Sequence, residues 1–199
     1  PPRSTHCISS AASDVYKRQP YYGGTAGKFK GHKGSLFEGG IREPGIMHWP
    51  GKIQTGVVSS EPCASMDIAP TILDAAGVNL SDHYLDGKSL IKLANGKDSN
   101  SDRVIFWEYL DQTAVRKGKW KLVLKGKLIE AYGPVPEVHL SNLEEDISES
   151  INLADKEPEI TKELTKLAED WRNQIEEKWI SEYGAPSEEQ RLNTQMGIN

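Results

Sequence analysis

"TAVRKGKWKLVLK", residues 113–125, alternates polar and apolar side chains around a single glycine. Such alternation places Trp120, Leu122 and Leu124 on one face of an extended chain, and Lys117-Gly118 supplies the reversal, so the stretch predicts a β-hairpin. "RVIFWEY", residues 103–109, predicts a further strand just before it. Downstream, Ile160, Leu164, Leu167, Trp171, Ile175 and Trp179 recur at helical spacing. They predict one amphipathic helix from Pro158 to about Trp179 with a solvated Glu/Lys face. Strands followed by one long helix imply an antiparallel sheet with the helix packed across it, over residues 102–180.

Toward the N-terminus, the polar stretch from Gly96 to Asp102 marks a boundary. "SMDIAPTILDAAG", residues 65–77, predicts a helix capped by Ser65 or Asp67, with Pro70 in its first turn and Gly77 at its exit. Its apolar face would be Ile68, Ile72, Leu73 and Ala76. "GIREPGIMHWPGK", residues 40–52, predicts a short strand through Ile46, Met47 and Trp49, closed by the Pro50-Gly51 turn. Overlapping it, "GHKGSLFEGGIREPG", residues 31–45, holds five glycines around Lys33, Glu38, Arg42 and Glu43. Little side-chain bulk lies along such a loop, which can bring a cation close to a small anion. Residues 1–19 share no periodicity with the rest and are read as carrying no fold. Cys7 to Gln19 resembles a translated sequencing adapter, the alternative being a flexible arm. Residues 181–199 are read as a tail.

Composition excludes several classes. The chain has 199 residues, 37% of them hydrophobic, enough for a real core. A net charge of −5 opposes nucleic-acid binding, which needs a concentrated basic surface. No apolar run is long enough to span a bilayer. Two cysteines, Cys7 and Cys63, indicate no redox compartment. "GGTAGKF", residues 23–29, is one residue short of a phosphate loop and has Phe29 where a magnesium-binding hydroxyl belongs. His6, His32, His48, His83 and His139 form no zinc-type pair. The acidic run from Glu144 to Glu149 lacks the glycine and alternating oxygen ligands of a calcium loop and reads as solvated surface. No metal site is expected from these residues.

Five stretches then carry a likeness. In order, "KGSLFEGGIREPGIMHWPGK", "SMDIAPTILDAAG", "DGKSL", "AVRKGKWKLV" and "LSNLEEDISESINL" resemble successive landmarks of the sulfatase family, over roughly residues 24–175. The resemblance implies an α/β fold. Residues 20–98 would be the C-terminal part of an alkaline-phosphatase-like catalytic domain. Residues 102–180 would be a subdomain whose four-stranded antiparallel sheet packs against a long C-terminal helix.

The resemblance also implies a sulfuric ester hydrolase of arylsulfatase type. Its substrate would be a small-molecule or carbohydrate sulfate ester. Its nucleophile would be a formylglycine made from the cysteine of Cys-x-Pro-x-Arg, beside a bound calcium. Neither Cys7 nor Cys63 lies in that motif, and the serine version at Ser60 ends in Ala64 where arginine is required. The calcium-binding Asp-Asn pair would fall near Asp14, which Val15 follows. Nucleophile and calcium ligands are therefore missing, and the fragment alone is expected to be inactive.

One catalytic position has a counterpart: Lys33 matches the family lysine that contacts the sulfate. A lysine ammonium suits this task as a compact point charge facing a tetrahedral anion. His32 is a candidate pocket residue beside it, the alternative being an exposed loop histidine. Glu38 and Arg42 are expected to pair with each other or with backbone and orient the loop, not to touch substrate. Asp67 is expected as a helix cap, and Cys63 as a small buried apolar residue. Trp107, Glu108 and Arg116 are candidates for the substrate rim, whereas Trp120, Trp171 and Trp179 are expected in the core. No nucleic acid or membrane partner is expected. Family habit implies a periplasmic or extracellular location, and the oligomeric state is open. Two alternatives remain: a phosphonate or phosphate monoester hydrolase of the same superfamily, or a non-catalytic anion-binding domain.

Overall fold

The computed structural model describes residues 26–97, 102–128 and 135–185. The expectations for residues 1–19 with Cys7 and Asp14, for most of the boundary after Gly96 and for the tail beyond 185 lie outside them. The described residues form two compact units, one gathering residues 26–42, 106–115 and the described part of 120–185, the other residues 43–105 and 116–119.

Four strands run β1 (Val104–Tyr109), β2 (Gln112–Lys117), β3 (Trp120–Leu124) and β4 (Val138–Asn142), adjacent in chain order. Two-residue connections between β1 and β2 and between β2 and β3 leave room only for antiparallel neighbours. The second of them carries Gly118 at φ +57°. β4 continues the antiparallel pattern, with Leu122 opposite Leu140 and Val123 opposite His139.

Both faces of this sheet are covered, so β3 has buried side chains pointing both ways. Across one face lies the long helix Pro158–Tyr183, which starts on a proline free of an N–H obligation and ends at Gly184 with φ +82°. Leu164 and Ala168 are its buried residues, one turn apart. Further along, Trp171 stacks on Phe106 with centroids 5.0 Å apart. Arg172 donates to the Leu110 and Asp111 carbonyls and to Thr113 Oγ1, and so fixes a hairpin in which Leu110 has φ +57°. Trp179 departs from the expected core position: it is 55% exposed and leans on Tyr183.

Against the opposite face lies the glycine-rich loop. Phe37, wholly buried, packs with Leu36, Ala114 and Val123, and Trp107, Leu128 and Val135 close the cluster. Truncating a phenylalanine so placed removes about 3–5 kcal/mol. This packing joins residues 26–42 to the sheet.

The second unit contains a 3-10 turn (Ser65–Asp67), a helix (Ile68–Ala75), a second 3-10 turn (Leu80–Asp82) and one helical turn (Ile91–Ala94). The expected strand through Ile46 and Trp49 is absent. That stretch is irregular, and Ile46 is 96% exposed. Pro44 and Pro50 bracket it and lack the N–H that a ladder needs. The predicted helix forms and exits at Gly77 with φ +77°, but Ile68 and Ile72, expected on its buried face, are 59% and 62% exposed. Pro70 is the residue it buries.

Asp67 stands at the N-cap position of this helix, but its side chain makes no capping bond to it. Its carboxylate accepts two bonds from the Arg103 guanidinium (2.6 and 2.7 Å) and one each from the Ala64 and Lys88 N–H groups. Burial pushes its pKa up, but the Arg103 and backbone bonds outweigh that and hold it below the ordinary value. Cys63 is exposed rather than buried. No described helix is long and apolar enough to cross a membrane.

Candidate anion-binding loop

Lys33 sits at the apex of a tight turn. The Ser35 N–H bonds to the His32 carbonyl at 2.9 Å, and Gly34 has φ +90°. A turn closed between residues 32 and 35 with a left-handed third residue is of type II form, which only glycine adopts there without strain. Lys33 occupies its second position and projects outward, exposed. Among the described residues its ammonium has no carboxylate partner. His32, half-buried, turns its Nδ1 to the Lys33 carbonyl at 3.3 Å, so it supports the turn from the loop's own side.

Other glycines serve close approach. A Cβ on Gly39 would stand 2.2 Å from the Gly31 carbonyl oxygen, and one on Gly40 would stand 2.1 Å from that of Ser35. The loop is thus folded backbone against backbone. It closes through the Gly39 N–H to Lys30 O at 2.8 Å and enters a single helical turn, Glu38–Ile41.

Beneath the loop lies a buried ionic cluster. Lys121 of β3, with no exposed side-chain surface, lies 2.9 Å from Glu38 Oε1 and 3.1 Å from Glu149 Oε1. The Glu38 N–H donates to Glu149 Oε2 at 2.5 Å, and Arg42 bonds Glu38 Oε2 at 3.1 Å, the pairing expected from sequence. Lys30 reaches over the Phe37 ring, 4.6 Å from its centroid, and donates to the Glu149 carbonyl. Burial lowers the Lys30 pKa and raises that of Glu149, although Lys121 opposes the latter. Like-charged Glu38 and Glu149 share this space because Lys121 stands between them.

His139 lies on the same sheet face, edge-on to Phe37. Neither of its ring nitrogens makes a hydrogen bond of normal geometry, although the Glu149 main chain is near enough to favour the charged ring slightly. Burial, helped by the Lys30 cation, holds its pKa at about 4. Asp146, at the start of the turn leading to Glu149, is held at about 2. Burial there works upward and is outweighed by the Ser148 and Ser150 hydroxyls and the Ile151 N–H.

One sequence reading changes here. Glu149 is buried, not part of a solvated acidic surface. Trp107 belongs to the Phe37 core cluster, Glu108 pairs with Arg172 at 3.4 Å, and Arg116 donates from Nε to the Gly118 carbonyl. Lys121, Glu149, His139 and Gln112 carried no sequence signal, because their partners are remote in the chain. Among the described residues no three His, Cys, Asp or Glu side chains converge to hold a cation, so these residues do not fit a calcium cage.

A four-stranded sheet covered by a long helix on one side and a lysine-bearing glycine loop on the other is an α/β arrangement shared with sulfatases of the alkaline-phosphatase-like fold. A Bacteroides thetaiotaomicron protein designated BT33336S-sulf, solved in work on the metabolism of multiple glycosaminoglycans, superposes with a TM-score of 0.60 and 28% identity. The match covers 74% of this chain and 32% of that one. Ps i-CgsB gives 0.59 and 26%, over 72% of this chain and 31% of its own. The sequence profile described as "N-sulphoglucosamine sulphohydrolase, C-terminal" matches residues 26–177, and the chain belongs to that family. Human steryl-sulfatase is 41% identical over 97 residues, 48% of this chain and 17% of that protein. Bovine arylsulfatase A is 34% identical over 162 residues, 71% and 32% respectively. The chain thus spans about a third or less of these relatives.

Proposed function

We propose that this chain is a segment of a hydrolase of sulfate esters, in which Lys33 holds the sulfate group. The observation that carries the reading is the Lys33 turn: an ammonium without a carboxylate partner among the described residues, on a backbone bonded to the sheet at Gly34. An ion-paired lysine would have its charge spent internally. Lys33 has its charge available, while Lys121 and Arg42 are used to fix the platform.

Such a group binds the sulfate oxygens in the ground state. It gains strength as negative charge grows on the departing ester oxygen, and that gain accelerates the reaction. His32 lines the same turn and would border the bound anion. No residue here carries the motif that the resemblance asks of a nucleophile, so the segment is assigned the anion-holding share of the reaction only. The substrate class we favour is a carbohydrate sulfate. Ps i-CgsB is also known in complex with k-i-k-neocarrahexaose, and that structure superposes with a TM-score of 0.57 and 26% identity.

The test is sulfate release by the intact protein with Lys33→Ala. Turnover is expected to fall by about 100-fold or more with unchanged thermal stability, on the scale of a lost oxyanion donor. A rate within a few-fold of the parent would remove the assignment. Turnover of phosphate esters in place of sulfate esters would move the protein to a different chemistry on the same scaffold.

A further inference from the structure

The carbonyl that follows Lys33 is held from the sheet. Gln112, the first residue of β2, is 1% exposed. Its Nε2 donates to the Gly34 carbonyl at 2.9 Å, and its Oε1 accepts from the Lys127 N–H at 2.9 Å. A carbonyl can only accept and a backbone N–H can only donate, so the two partners together fix which end of the amide faces the loop. The remaining bonds at the apex are internal to the loop: Ser35 N–H to His32 O, Phe37 N–H to Ser35 Oγ, and His32 Nδ1 to Lys33 O. Among the described residues, Gln112 is the side chain from outside the loop that bonds this apex.

Gly34 is the soft joint of the turn, since glycine crosses φ space at little cost. Rotation there would swing the Lys33 side chain relative to the sheet. The Gln112 amide removes that freedom at the one carbonyl between the joint and Ser35. Lys127 in turn keeps the amide from rotating, because its N–H would lose a buried acceptor.

We propose that Gln112 is a positioning residue for Lys33. It acts through the Gly34 carbonyl to aim the ammonium, and it does not touch the substrate. This rests on the reading of Lys33 as the sulfate-holding cation. Misplacement of a charged group by about 1 Å costs on the order of 100-fold in rate.

The experiment uses the intact protein and sulfate release, with four forms: parent, Gln112→Met, Lys33→Ala and the double variant. Gln112→Met keeps the side-chain length and removes the donor. The expected result is a turnover rate lower by roughly 10- to 100-fold with a smaller change in KM, and a double variant no slower than Lys33→Ala alone. That non-additivity is the readout a merely structural role would not give, because a general loss of folded protein multiplies with the Lys33 defect. Should the Met variant not fold, Gln112→Glu, which retains the Oε1 acceptor for Lys127, is read in the same way. Parental turnover in the Gln112 variant, or independent multiplication in the double variant, overturns the inference and leaves the Lys33 reading standing. Near-parental turnover by Lys33→Ala overturns the reading itself, whatever Gln112 does.

Discussion

Acid should loosen the sheet's inner face through one residue, His139. Its ring is buried against Phe37 at 5.2 Å, and its pKa falls from 6.5 in the unfolded chain to about 4 when folded. A folded pKa below the unfolded one means stability present above pH 6.5 and lost as pH falls toward 4. At about pH 5.0 the unfolded ring is almost fully protonated while the folded ring is still neutral. Linkage then puts the loss between about pH 7.5 and 5.0 at about 2 kcal/mol. Glu149 works the other way: its raised pKa favours the neutral acid in the folded state, so its contribution grows as pH falls. Comparison with His139→Phe cancels that background, because Phe keeps the ring volume and abandons two nitrogens that have no normal hydrogen bond. Urea unfolding followed by tryptophan emission, at both pH values, reads the difference. The Phe variant should match or exceed the parent at the higher pH and should lose about 2 kcal/mol less on acidification. Identical pH dependence in the two proteins would refute the assignment of a neutral buried ring.

The ionic platform and the glycine packing give two further predictions. Lys121→Met leaves Glu38 and Glu149 buried without their shared cation and should destabilise the fold by about 3–5 kcal/mol in the same urea assay. A loss below about 1 kcal/mol would show that the cluster is not coupled as described. Gly40→Ala would place a methyl 2.1 Å from the Ser35 carbonyl oxygen and 2.6 Å from that of His32. It should therefore open the Lys33 turn and abolish sulfate release in the intact protein. Wild-type turnover there would mean that the loop tolerates a different path.

The elements with a clean local period were legible in the sequence: the β2–β3 hairpin around Gly118 and the helix from Pro158. The helix runs to Tyr183 rather than Trp179, and its second half, with Ile175 and Trp179, is exposed although it continues the apolar period. Apolar spacing reports a capacity for burial, not its fulfilment. The same reason explains Ile68 and Ile72. The strand expected at Ile46 does not form because Pro44 and Pro50 on either side of the alternation cannot join a ladder.

At the site, Lys33 is singled out by the family resemblance, whereas the Glu38–Arg42 pair was readable because i, i+4 spacing is local. Lys121 was not. On a strand between Trp120 and Leu122 it reads as a solvent-facing charge, and its partners are 83 residues upstream and 28 downstream. Gln112 was hidden similarly, 78 residues from Gly34. Only the covering of both sheet faces turns these polar residues inward, and no pattern in a short window encodes it.

The Lys33 ammonium is proposed to hold the sulfate. The most direct measurement is a structure of the intact protein with a sulfated substrate or inorganic sulfate in its active site. Lys33 Nζ should lie within hydrogen-bond distance, about 3 Å, of a sulfate oxygen. An ammonium left in open solvent while another cation takes the anion would contradict the account.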